Sequence, residues 1–161
     1  MYTLALKHKL YAELYIRAPE LYDKAVERSA RDGKKWDTRL DRNEAVARAR
    51  LILNDSIPGV RAYILCDTHL MFASIGKMWW ADKPWLIEQW YMRVAPGRSN
   101  PLAAVEKLAD DNGCAATVFG TSLAAKDVAL GRLLERSGYR IESTQYIKDY
   151  TWPQSQAPSS D

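Results

Sequence analysis

Three runs rich in aromatic and β-branched residues, VRAYILCD, LMFASIGKMWW and WLIEQWYMRVA, follow one another from Val60 to Ala95. Only two short turn signals, DTH and ADKP, separate them. Runs of this composition with breaks this short are the pattern of an antiparallel three-strand meander, and the rest of the chain has to pack against it.

The flanking segments carry helical periodicity. Between residues 9 and 30, Leu10, Leu14, Leu21, Tyr22, Ala25 and Val26 recur at spacings of three, four and seven. This predicts an amphipathic helix that Pro19 bends or breaks, so two short helices are expected there. Ser29 to Arg42, with Gly33 and the basic pair Lys34 and Lys35, reads as a solvated loop. Asp41, followed three residues later by Glu44, resembles a capping box and opens a helix through Ala45, Ala49 and Ile52, closed by Asn54 to Gly59.

After the meander, PGRSN is a loop and Pro101 takes a first helical position, with Leu102, Val105 and Leu108 on one face of a helix that ends near Asn112 and Gly113. Cys114 to Gly120 predicts a strand, and Ala124 to Ser137 a helix with Leu130, Leu133 and Leu134 on one face. Gly138 is the stop of that helix. Tyr139 to Tyr150 predicts one bent strand or two short ones. The fold class is therefore α/β, a mixed α+β sheet: N-terminal helices, an antiparallel three-strand meander, then helix, strand, helix, strand. Residues 1–152 are expected to form a single domain, with 153–161 a Pro- and Ser-rich C-terminal tail.

Composition excludes several function classes. The formal charge of +3 arises from 23 basic and 20 acidic residues spread along the chain, which gives no concentrated basic field and argues against nucleic acid as a partner. Cys66 and Cys114 lack CxxC spacing, which argues against zinc and a disulfide framework; both read as buried thiols in a reducing compartment. There is no apolar h-region at the N-terminus and no run of about 18 apolar residues, so a cytoplasmic protein with no membrane partner is expected. His8 and His69 stand without acidic or thiol ligands at metal spacing and read as structural or solvated, and no metal site is expected. No nucleophile elbow, P-loop or Rossmann glycine pattern occurs.

The segment GCAATVFGTSLAAKDVALGRLLERSGYRIES, in the element order above, resembles the GNAT superfamily of acetyl-CoA-dependent N-acetyltransferases. Members typically end this helix with Asn, two residues, Ala, two residues, Leu-Tyr-Glu-Lys, one residue, then Gly-Phe. Here Asp127, Leu130, Leu133, Leu134, Glu135, Arg136, Gly138 and Tyr139 fill that frame. The likeness covers roughly residues 60 to 150, and it is a packing and helix-stop signature more than a chemical one. The small, aromatic-rich style also resembles the GNAT-like proteins of tailed bacteriophages, which implies a host or virion protein as a partner and the host cytoplasm as the setting.

The resemblance implies acetyl-CoA as cofactor. Its pantetheine arm would lie where the last meander strand splays from the next strand. Its diphosphate would sit on amides at the N-terminus of the following helix, where unsatisfied N–H groups and the helix dipole favour an anion. On this chain the resemblance assigns those contacts to Met92, Val94, Gly97, Arg98, Ser99, Asn100 and Asp127. The family loop reads Arg or Gln, two residues, Gly, one residue, Gly or Ala; here Gly97 and Arg98 are present without that glycine spacing, and Pro101 removes one amide donor. Asp127 stands where Asn is usual and adds a negative charge.

The reaction implied is attack of an amine, on a small molecule or a protein, on the thioester. It needs a proton acceptor for the ammonium and often an acid for the thiolate. Glu88 is the candidate base: read as a regular strand, it shares a face with Leu86, Trp90 and Met92, where burial raises a carboxylate pKa. The alternative is that Glu88 pairs with a Lys or Arg at a sheet edge. Leu134 stands where the family usually has the Tyr acid, and Tyr91 is the candidate substitute. Trp79 and Trp80, on opposite faces of a strand, read chiefly as packing, with an acceptor pocket or protein-binding face as the other reading. Two functions therefore stand open: an N-acetyltransferase, and a GNAT-like binding or assembly module without catalysis. Oligomeric state is open.

Overall fold

The structure is a computed structural model, and it describes residues 1–31, 41–119 and 128–140. In chain order it contains β1 (Tyr2–Leu4), a short 3-10 turn (Ala5–Lys7), α1 (Tyr11–Arg31), α2 (Arg42–Leu53), β2 (Arg61–Leu65), β3 (His69–Gly76), β4 (Trp85–Arg93), α3 (Pro101–Asp111), β5 (Ala116–Val118) and α4 (Val128–Arg136). The strands form one sheet in the order β1-β2-β3-β4-β5. All neighbours are antiparallel except β4 and β5, which run parallel. The expected meander is β2, β3 and β4. β1 is an addition: three residues are too short for a periodic signal, and pairing with Tyr63, Ile64 and Leu65 of β2 makes the strand.

Helices cover both faces. On one, α1 and α2 bury Leu14, Leu21 and Leu53 against Ala62, Ile64 and Leu70, with Phe72, Trp90 and Met92 at the margin. On the other, Ala104, Val105, Leu108 and Ala109 of α3 pack on Tyr63, Leu65, Met71, Ala73 and Leu86. The period-2 alternation of β2 thus divides one strand between two cores.

α1 is a single helix of 21 residues with Pro19 inside it, where two short helices were expected. The reason is a partner supplied from outside. Pro19 has no N–H to give the carbonyl of Tyr15, four residues earlier. Arg50 of α2 donates its Nε–H to that oxygen at 3.1 Å, and its guanidinium lies 5.0 Å from the Tyr15 ring centroid. The freed acceptor is satisfied, and the helix continues.

The helix ends follow the sequence. Asp41 caps α2, its carboxylate accepting from the Glu44 amide at 2.8 Å. α3 opens with Pro101 in its first turn and Asn100 as its cap. α4 stops at Gly138, whose φ of +84° is left-handed, and the Tyr139 amide donates back to the Leu134 carbonyl at 3.0 Å.

Three expectations change. β3 ends at Gly76, so Trp79 and Trp80 lie in the β3–β4 connection and not on opposite faces of a strand; both are exposed, at 93% and 57%. Their rings meet edge to face at 5.2 Å. Cys66 and Cys114 are free thiols and half-buried, because Cys66 sits in the β2–β3 turn with φ +50° and Cys114 precedes β5, so neither occupies an inward-facing strand position. Leu133 of α4 is 47% exposed while Leu134 is buried, so the two do not share the buried face. Lys34, Lys35, residues 124–127, the predicted strand beyond Arg140 and the tail lie outside the described residues. No helix among the described residues is long and apolar enough to cross a membrane.

Candidate functional site

β4 is the element around which the site is built. Its parallel register with β5 runs Trp85–Ala116, Leu86–Thr117, Ile87–Val118 and ends there, while β4 continues to Arg93. Among the described residues, which break off after Phe119 and resume at Val128, Glu88 to Arg93 of β4 have no strand partner on the β5 side, where the gap was expected.

At the same point the pairing of β4 with β3 is irregular. Phe72 faces Trp90, but Ala73 faces Glu88, so Gln89 is an extra residue, a β-bulge. The bulge inverts the alternation. Trp90, Met92 and Val94 turn to the α1–α2 side. Leu86 and Tyr91 belong to the α3 side, and Glu88, opposite buried Ala73, lies with them. This corrects the sequence expectation: Glu88 shares its face with Leu86 but not with Trp90 and Met92. Gln89 reaches Ser74 Oγ at 2.5 Å.

Glu88 and Tyr91, the two candidate catalytic residues, therefore come to one face at the mouth of the gap. Glu88 is half-buried and engaged by a partner. The Tyr91 ring stacks on His69 at 5.1 Å and meets Phe119 edge to face at 5.9 Å; Phe119 in turn meets Tyr139 at 5.8 Å. Burial first, with the Cys66 thiol and the Glu88 carboxylate adding and Arg93 opposing, pushes the Tyr91 phenol well above its ordinary value, so it holds its proton at neutral pH. Burial and then the Arg93 charge lower the His69 pKa, which favours the neutral imidazole. Leu134 is buried and brings no polar group.

The candidate cofactor residues divide. The Val94 amide donates to the Thr68 carbonyl at 2.8 Å, so the Val94 backbone faces β3. Strand alternation gives Met92 the same direction and leaves the backbone groups of Tyr91 and Arg93 pointing away from β3, to the side where β5 lies. Beyond the strand, Arg93 turns its guanidinium onto the carbonyls of Ala95, at 3.2 Å, and Gly97. Gly97 has φ +137°, a conformation that side chains resist. Arg98 is exposed, with no ion pair among the described residues. Asn100 commits its side chain to the cap, accepting from the Ala103 amide at 3.2 Å. The amides of Gly97, Arg98, Ser99, Asn100 and Leu102 make no hydrogen bond to the chain among the described residues, so donors that fit a diphosphate remain despite Pro101 and the cap. Asp127 lies outside the described residues.

Sequence reasoning missed Thr68, Phe119 and Tyr139 as neighbours of this site, and set His69 aside. Phe119 carries no signal beyond being apolar, and Tyr139 was read only as the end of the helix-stop frame, with nothing to bring it to β4. The DTH turn was visible, but the loop that Thr68 touches is about 30 residues away and cannot be read from local pattern. His8 is structural, as expected: its Nδ1 accepts from the Leu10 amide at 3.1 Å and its Nε2 lies 2.9 Å from Asp67. No cluster of metal-ligating side chains occurs among the described residues.

No protein-family model matches the sequence, and no curated protein matches it. Solved structures do match. A protein from Arthrobacter sp. FB24, named as an acetyltransferase, superposes with a TM-score of 0.55 at 19% identity, covering 85% of this chain and 92% of that one. A second protein so named gives 0.53 at 14%, covering 88% and 94%. One from Clostridium difficile 630 gives 0.56 at 11%, covering 86% and 94%. At these identities the likeness is one of fold, and the chain shares with these proteins a mixed sheet between helices.

Proposed function

We propose that this chain binds acetyl-CoA along the open edge of β4 and transfers the acetyl group to a primary amine of a small molecule or protein. The observation that supports it is the register: the described pairing of β4 with β5 ends at Ile87 and Val118, and the β4 bulge brings Glu88 and Tyr91 to one face beside that point. Acetyl-CoA supplies an activated acyl carbon. The chain supplies backbone groups at Tyr91 and Arg93 for the amide-bearing arm, and the amides of Gly97 to Asn100 with the Arg98 guanidinium for the diphosphate. Glu88 takes the proton an ammonium must lose before its nitrogen can attack. Tyr91, kept protonated by burial, is the donor toward the departing thiolate. A phenol raised this far is a weak acid, so the acid assistance is modest.

Thermal denaturation with excess acetyl-CoA tests the proposal. At about 100 times its dissociation constant a ligand adds about 2.7 kcal/mol of stability. No shift at millimolar acetyl-CoA contradicts it; a shift abolished by Arg98→Glu supports it.

A second reading rests on the exposed Trp79 and Trp80, and on Leu134, which offers no proton. In it the chain is a catalytically silent binding or assembly module, phage-borne, whose tryptophan tip meets a host or virion protein. A folded protein that ignores acetyl-CoA, and loses its protein partner on Trp79→Ser with Trp80→Ser, is the outcome this reading expects.

A further inference from the structure

We infer that Thr68 is the positioning residue of the candidate diphosphate loop, an inference that rests on the acetyl-CoA reading above. Thr68 closes the turn between β2 and β3, is 4% exposed, and is the one buried polar residue among those described. A buried hydroxyl needs partners: here His69 Nδ1 and the Leu65 carbonyl lie on the neighbouring strands, and Ser99 lies on the loop between β4 and α3.

The carbonyl, hydroxyl and methyl of Thr68 all meet that loop. Its carbonyl accepts from the amides of Val94 at 2.8 Å and Ala95 at 3.2 Å. Its hydroxyl donates to Ser99 Oγ at 2.7 Å, across 31 residues of sequence. Its methyl lies 3.1 Å from where a Cβ on Gly97 would stand, so a side chain there would crowd it, and the positive φ itself favours glycine. Thr68 is itself fixed: its amide donates to Leu65 O at 3.1 Å, Cys66 and Asp67 before it hold left-handed φ values of 50° and 59°, and its hydroxyl lies 2.8 Å from His69 Nδ1.

The consequence lies in which way the loop's peptides face. The Arg93 guanidinium takes the carbonyls of Ala95 and Gly97, and the Cys66 thiol lies 3.4 Å from the carbonyl of Asn100. With those oxygens engaged and Ser99 pinned by Thr68, the amides from Gly97 to Asn100 are left for an anion. A surface loop of this kind otherwise has to be ordered when the ligand arrives, which weakens binding. Thr68 orders it in advance, and does so without touching the ligand.

The test is the affinity for acetyl-CoA, measured by calorimetry, of wild type, Thr68→Val, Thr68→Ser and Ser99→Ala. Valine keeps the branched shape and removes the hydroxyl, and is expected to weaken binding about 10-fold, the scale of one hydrogen bond. Serine keeps the hydroxyl and is expected to stay within about 2-fold of wild type. Should Thr68→Val fail to fold, Ser99→Ala removes the same bond from a half-exposed position and carries the same expectation. Wild-type affinity in both Thr68→Val and Ser99→Ala overturns the inference, as does a loss in Thr68→Ser equal to that in Thr68→Val. A wild type that binds no acetyl-CoA overturns the parent reading instead.

Discussion

Glu88 and Tyr91 stand three residues apart in one strand and nevertheless lie on the same face of the sheet, because Gln89 is an extra residue between Trp90, which faces Phe72, and Glu88, which faces Ala73. In a regular strand an odd separation places two side chains on opposite faces. The bulge also falls where the described pairing of β4 with β5 ends, so a bend, the end of that pairing and two titratable side chains occur together.

If the two side chains act on one reacting centre, their removal is not additive. Glu88→Gln is expected to lower the turnover rate of acetyl transfer about 10²-fold or more, with acetyl-CoA affinity unchanged. Tyr91→Phe should cost less, as a weak acid's loss does, and the double variant should fall short of the product of the two. Single-turnover rates and ligand affinities of the three variants check this.

The helix that runs through Pro19 gives a prediction for stability. Removing Arg50 leaves the Tyr15 carbonyl without its donor, and Arg50→Ala is expected to destabilise the fold by about 1–3 kcal/mol. In a Pro19→Ala background residue 19 regains an N–H and can serve that carbonyl itself, so the same change should then cost markedly less. Denaturant melts of the four proteins form the cycle.

Much of the fold was legible because it follows from local pattern. The three runs from Val60 to Ala95 announced the meander, Asp41 and Asn112–Gly113 marked helix ends, and LLERSG carried the stop at Gly138. The readings that changed depended on partners distant in sequence. Pro19 alone predicts a break, and only Arg50 from another helix supplies the donor that Pro19 lacks. A strict period of two places Glu88 with Trp90, and only the pairing with β3 reveals the bulge. Trp79 and Trp80 were assigned to packing because large aromatics are mostly buried, yet the strand ends three residues before them.

The two tryptophans at that tip contribute little to the fold. Trp79→Ser with Trp80→Ser is expected to shift unfolding free energy by no more than about 0.5 kcal/mol, the range of surface changes. A packing role would give several times that loss.

His69 gives the account a pH dependence. Its pKa is lowered in the folded chain, by burial and then by Arg93, from an ordinary value of 6.5. As pH falls, the unfolded chain takes up this proton first, so the His69 contribution is full above the ordinary value and is lost on acidification. Stability measured from about pH 7.5 to about pH 5 should fall less steeply in His69→Phe, which keeps a ring against Tyr91 and removes the titration. An identical slope in the two proteins would show that His69 protonation is not coupled to folding.

Hydrogen exchange at the end of β4 tests the central claim most directly. If the edge beyond Ile87 is open and takes acetyl-CoA, the Tyr91 and Arg93 amides exchange faster than those of Met92 and Val94 in the free protein, and saturating acetyl-CoA slows them about 10-fold or more. Tyr91 and Arg93 amides that are already as protected as Met92 and Val94 without ligand, and unchanged by it, would contradict the account.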